Sequence, residues 1–137
     1  MSITECNLYS KVKNFKTTQI GDLYFFENYL IAEFYEGVHI SFDSFKEVKA
    51  LIDEHFKGKK FGFIGNRINS YSLVLSDAQL FNDSLKNLMA YATVTYTSIA
   101  EKVFDVENHF FDFNKKNFTC LFEATNWVRQ TLESKAA

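Results

Sequence analysis

The chain reads as an α/β domain: a mixed five-stranded sheet, with an N-terminal hairpin followed by parallel strands, and about four helices. Three observations predict this. Two β-rich runs at residues 19–26 and 29–35 flank Glu27-Asn28, the spacing of a hairpin with a two-residue turn. Apolar residues then recur at three- and four-residue steps through Phe42, Phe45, Val48, Ile52 and Phe56, the stripe of a core-facing helix. Finally, residues 61–64 form a short and almost purely apolar run, as expected of a parallel strand covered on both faces. Strand, helix, strand is a βαβ unit, for which a right-handed crossover is expected.

The elements follow in order. Residues 1–18 fit either a short helical stripe (Leu8, Val12, Phe15) or a frayed strand. In the hairpin, Leu23, Phe25, Leu30, Ala32 and Phe34 share one face, and Tyr24, Phe26, Ile31 and Tyr35 make the other nearly as apolar. Ser41 is a suitable N-cap for the first helix, Asp43 suits its positive end, and Gly58 ends it. Ser76 and Gln79 have capping-box spacing before a short helix reaching residues 82–85. A Val-, Thr- and Tyr-rich strand at 88–96 follows. Ser98 and Glu101 repeat the capping-box spacing, and Ile99, Val103, Val106 and Phe110 predict the buried face of the third helix. The last segment supports two patterns. Phe118, Cys120 and Phe122 alternate like a strand, whereas Leu121, Ala124, Trp127, Val128 and Leu132 follow helical spacing with Thr119 as a candidate cap. The longer pattern accounts for more residues, giving a strand ending near 118 and a helix over 120–133. The order is ββαβαβαβα.

Bulk composition sets aside several classes of function. At 137 residues without proline or a glycine-rich linker, one domain spanning 1–137 is the economical reading. Hydrophobic residues at 47% exclude a disordered chain. A net charge of −2 offers no global attraction to nucleic acid, and Lys57, Lys59, Lys60 and Lys115, Lys116 read as solvated turns beside strands. No run approaches a membrane span, and the start lacks a signal-peptide pattern. Cys6 and Cys120 stand far apart with no CxxC, as free thiols of a reducing compartment would. The expected location is cytoplasmic.

Phe118, Glu123-Ala124 and Trp127-Val128 resemble the closing strand and helix of a bacterial STAS-like family. The hairpin, residues 36–41 and residues 65–72 resemble the same group, so that the likeness covers roughly residues 19–133. The family is similar in fold to anti-sigma-factor antagonists and, more distantly, to CRAL-TRIO lipid-binding domains, and most of its short members have no assigned activity. The resemblance implies a binding edge near the loop after the third strand. Anti-sigma-factor antagonists carry there a phosphorylatable Ser that follows an Asp at a helix start. This chain departs from that pattern: Ser70 follows Asn69, Ser72 follows Tyr71, Ser76 precedes Asp77, and Asp83-Ser84 has the dipeptide only past the short helix, so the phosphoswitch does not transfer.

The abrupt change from apolar to polar residues after Ile64 marks the working edge, because ligands of α/β sheets bind past the carboxyl ends of the strands. Asn66, Arg67, Asn69, Ser70, Tyr71, Ser72 and Asp77 are the candidate partner- or ligand-binding residues, with Arg67 supplying a planar charged fork. The bland alternative is a loop whose Asn and Ser side chains bond their own backbone. His39, His55 and His109 lie on separate elements without ligand spacing, so no metal is expected. Gly62-Phe63-Ile64-Gly65 lacks the Lys-Ser/Thr of a phosphate loop, no GxSxG occurs, and no cofactor is implied. The resulting expectation is a non-enzymatic domain that binds a protein partner through residues 66–77. A small apolar-ligand carrier built on the Phe surplus comes second and a hydrolase third. Surplus aromatics on a sheet covered on both faces would also suit a homodimer seam.

Overall fold

The computed structural model describes residues 1–136. Its main sheet has six strands in the order β1-β2-β3-β5-β7-β8: β1 (Asn14–Thr17), β2 (Gly21–Phe25), β3 (Tyr29–Phe34), β5 (Phe61–Asn66), β7 (Leu88–Val94) and β8 (Lys115–Phe118). The pairings β1–β2 and β2–β3 are antiparallel, and the remaining three are parallel. The expected hairpin is present, closed by the Phe26 N–H donating to the Tyr29 carbonyl at 2.8 Å around Glu27-Asn28. The sheet exceeds the expected five strands because part of the ambiguous segment 1–18 forms β1. All four β1 residues are exposed, so no apolar alternation announced it, and the side chain of Lys16 sits on that open edge. Two short strands, β4 (His39–Ile40) and β6 (Ser72–Leu73), pair in parallel as a separate ribbon.

The sheet is covered on both faces. Leu23, Phe25, Leu30, Ala32 and Phe34 face α1 (Lys46–Phe56) and α2 (Ala78–Ser84), which contribute Val48, Ile52, Phe56, Ala78 and Phe81. Tyr24, Phe26, Ile31 and Ile64 face α4 (Leu121–Ala136) through Leu121, Ala124, Val128 and Leu132, and the 3-10 turns of the N-terminus add Ile3 and Leu8. The strand–helix reading of the last segment therefore holds. Each fully buried aliphatic side chain contributes about 1.5–3 kcal/mol, and this two-sided burial holds the layers together. Of the second hairpin face only Tyr35 departs, exposed with its hydroxyl donating to Asp22 Oδ1 at 2.7 Å.

Several helix ends differ from expectation. Ser41 Oγ accepts from the Ser44 N–H at 3.0 Å and caps a preliminary turn, and α1 proper starts at Lys46. Its exit uses two left-handed residues, Lys57 (φ 53°) and Gly58 (φ 82°). Ser76 does not cap α2. A 3-10 turn (Leu75–Asp77) precedes that helix, and Gln79 bonds Asp83 instead of reaching back. In α3 (Ser98–Glu107) the cap is Thr97, one residue earlier than expected, whose side chain accepts from the Ala100 N–H at 3.1 Å. The expected buried stripe of α3 is also overturned. Ile99 is 74% and Val106 54% exposed, and Phe110 just beyond is 46% exposed, whereas Phe104 and Glu107 face inward.

Candidate functional site

The segment that follows β5 is set by how far that strand runs. Its register with β7 continues through Asn66 opposite Val94, and the Arg67 N–H then donates to the Val94 carbonyl at 2.9 Å. The strand thus extends two residues past its apolar stretch, through Asn66, and Arg67 follows directly, both side chains lying inside. Both are buried, as is Tyr71. The expected hydrophilic rim over Asn66, Arg67 and Tyr71 is therefore corrected: these three are internal, and the solvent-facing residues of the loop are Ile68 and Ser70, with Asn69, Ser72 and Asp77 half-buried.

Asn66 acts as a clamp. Its Nδ2 donates to Glu33 Oε2 at 2.8 Å and to the Met1 carbonyl at 2.9 Å, and its Oδ1 accepts from the Tyr96 hydroxyl at 2.6 Å. The buried Glu33 carboxylate also accepts from Ser2 Oγ (2.7 Å) and the Ile3 N–H (2.8 Å). One amide thereby ties the N-terminal turn, β3 and the end of β7 together, and a buried Asn and Glu are satisfied at once.

Arg67 donates through Nη2 to Glu107 Oε1, joining the end of β5 to α3, and its guanidinium lies 4.5 Å from the centre of the Tyr71 ring. Gly65 leaves the room this requires, since a Cβ there would stand 3.2 Å from the Tyr71 hydroxyl. Tyr71 in turn packs edge-on against Phe34 with ring centres 5.2 Å apart. Burial opposes the charge on Arg67, but Tyr71, Tyr91 and Glu107 more than offset it and raise the guanidinium above its ordinary pKa. Burial lifts the Glu107 carboxyl, and Arg67 pulls it back by charge and hydrogen bond. Burial likewise raises the Tyr71 and Tyr91 hydroxyls. Arg67 Nε and Glu107 Oε2, both buried, meet no hydrogen-bond partner among the described residues. The fork expected to grip a ligand is thus engaged inside the protein, where it positions α3.

The remaining loop residues also bond within the chain, though among the Asn and Ser residues only Asn69 does so from side chain to backbone. Asn69 Nδ2 donates to the Phe34 carbonyl at 2.9 Å, and the Ser70 N–H donates to the Glu36 carboxylate at 3.1 Å. Asp77 Oδ2 accepts from the Phe42 N–H at 2.9 Å. Ser72 Oγ meets His39 Nδ1 across the β4–β6 ribbon, where the two residues are register partners. No carboxylate among the described residues bonds that imidazole, so the pair lacks the orienting third group of a hydrolytic triad. Sequence spacing could not reveal the meeting, because His39 and Ser72 belong to a two-residue ribbon with no apolar pattern. Glu107 and Glu33 were missed for another reason: their partners lie far away in sequence, where local spacing carries no signal.

The Phe-rich interior is closely filled. Between the sheet and α1/α2, the space lined by Phe34, Phe45, Phe63, Phe81, Phe111 and Phe113 amounts to about 30 Å³. That is room for about one water, against the several hundred Å³ of a ligand pocket.

The class defined by this sheet order and helix placement is the SpoIIAA-like α/β fold, to which the STAS-like resemblance points. Among solved structures the chain is similar to an uncharacterised protein of the DUF3478 family from Shewanella loihica, which has that fold, with a TM-score of 0.54 and 16% identity over 84% of this chain and 90% of the other. No family model matches the sequence, and no curated protein matches it. At this identity the likeness establishes the fold, and function must be argued from the site. Among the described residues no helix is long and apolar enough to cross a membrane.

Proposed function

We propose that the chain is a non-enzymatic regulatory domain that binds a protein partner over the carboxyl ends of its parallel strands, through residues 67–77 and α3. The observation that carries this reading is the outward apolar stripe of α3. Ile99, Val106 and the following Phe110 stand in solvent at helical spacing while the same helix turns Glu107 inward. Scattered exposed apolar residues are ordinary, but several on one side of a helix mark a surface that another molecule can cover. Ile68, on the loop after β5, is also exposed. Ser70, Asn69 and Ser72 supply a polar rim, and Asn66, Arg67, Tyr71 and Asp77 support it from behind. The fold-level likeness to anti-sigma-factor antagonists supports a regulatory reading by analogy alone.

Affinity capture from the native cell extract tests this, comparing the wild type with Ile68→Ser and with Ile99→Ser/Val106→Ser. Loss of one and the same captured protein from both variants, with melting temperatures unchanged, is the expected result. Equal capture by all three overturns the reading.

A further inference from the structure

A groove of about 690 Å³ opens at the other end of the sheet, between the 3-10 turn Asn7–Lys11, the Glu27-Asn28 turn and the second half of α4. That size falls within the range of small-molecule sites. We propose that this groove binds a small amphiphilic anion, a carboxylate or phosphate carried on an apolar body. Its floor is apolar: Phe26, Tyr29 and Leu132 are buried there, and the Phe26 and Tyr29 rings stack with centres 4.6 Å apart and planes 11° apart. Its walls are basic. Lys11, Lys13, Lys60 and Arg129 line it beside Glu27 and Glu133, in a chain whose net charge is −2. Among the described residues none of Lys11, Lys13 and Arg129 enters an ion pair within the protein. The Arg129 charge reaches the floor, where burial raises the Tyr29 hydroxyl and Arg129 opposes that rise.

Charge and floor make separate demands on the ligand. A bare anion would leave the apolar part of the groove uncovered, and a neutral chain would gain nothing from the cations. Exposed cations act as screened point charges, so binding must weaken as salt rises. The site is on the opposite edge from the proposed partner face, and the failure of either leaves the other standing.

The test is an amide-detected NMR titration with three probes: decanoate, decan-1-ol and inorganic phosphate. Decanoate is expected to saturate at one site, shifting the amides of Lys11, Asn28, Tyr29 and Arg129, with neither other probe matching it. Raising the salt should weaken it, and Lys11→Gln/Lys13→Gln/Arg129→Gln should weaken it about tenfold while Lys46→Gln on α1 changes nothing. All four are exposed positions, so folding is not at risk. The proposal is overturned if decanoate does not bind, if decan-1-ol or phosphate binds as tightly at the same amides, if the shifts lie outside the groove, or if the triple variant binds as the wild type does.

Discussion

Glu107 of α3 and Arg67 at the end of β5 form an ion pair with both side chains almost wholly buried, 40 residues apart in sequence. The pair fixes which way α3 faces. Breaking a buried pair strands one charge without compensation, so Arg67→Ala or Glu107→Ala should each cost about 3–5 kcal/mol. Replacing both together, as Arg67→Met/Glu107→Leu, removes the desolvation burden along with the attraction. That double variant should be no less stable than the wild type, a result favoured further by the unmet Arg67 Nε and Glu107 Oε2. Urea denaturation of the three variants measures this. Arg67→Ala unfolding at the wild-type midpoint would show the pair to be idle.

The same pair explains where the sequence misled. Residues 99, 103, 106 and 110 hold four apolar side chains at helical spacing, and residues 100, 104, 107 and 111, shifted by one, hold Ala, Phe, Glu and Phe. Periodicity selects the first set because the second contains a carboxylate. In the folded chain the second set is the inward one, with Phe104, Glu107 and Phe111 buried, since Glu107 finds Arg67 from a distant strand. Long-range ion pairs leave no trace in local spacing. By contrast the hairpin, the β3–α1–β5 unit and α4 were legible, since each is specified by its own apolar pattern. β1 was not, because a fully exposed edge strand has no pattern to read. The candidate site was legible in position only. The polar residues after Ile64 do mark the edge, yet which of them face water depends on β5 continuing to Asn66.

A second consequence of that one-residue shift concerns the start of α3. Thr97 supplies the capping oxygen, 3.1 Å from the Ala100 N–H, so Thr97→Ala should cost about 1 kcal/mol. Ser98→Ala, at the position the capping-box spacing favoured, should be neutral within about 0.5 kcal/mol. Thermal melts of the two variants separate the assignments, and the reverse ranking would return the cap to Ser98.

The tyrosines predict an alkaline limit to stability. Burial, then the charge of Glu33, pushes Tyr24 up to about 12, and the same two causes push Tyr96 up to about 12. Burial also raises Tyr29, Tyr71 and Tyr91. Raised acids keep their protons in the folded state while the unfolded chain loses them from about pH 10. The folded state then binds more protons, so stability is complete below pH ~10 and falls as pH rises from there toward 12. Tyrosinate absorbance followed through that range should lag behind an unfolded reference and then rise together with loss of structure. A titration of the native protein that follows free tyrosine would contradict this.

Gly62 tests how closely α4 sits on the sheet. A Cβ at Gly62 would overlap Val128 Cγ1 and lie 3.4 Å from the Tyr29 Cβ, so that Val128 or α4 would have to shift. Gly62→Ala should therefore destabilise by about 1–3 kcal/mol through overpacking. Val128→Ala alone should also destabilise, by loss of buried methyls and the space they leave. Combined, the two changes exchange one methyl position for another across the same contact. The double variant should then be more stable than the sum of the single losses implies, with a coupling of about 1 kcal/mol or more. Additive losses in a denaturant-melt cycle would mean that α4 rides farther from β5 than this contact requires, and that the small residue at 62 serves the strand pairing alone.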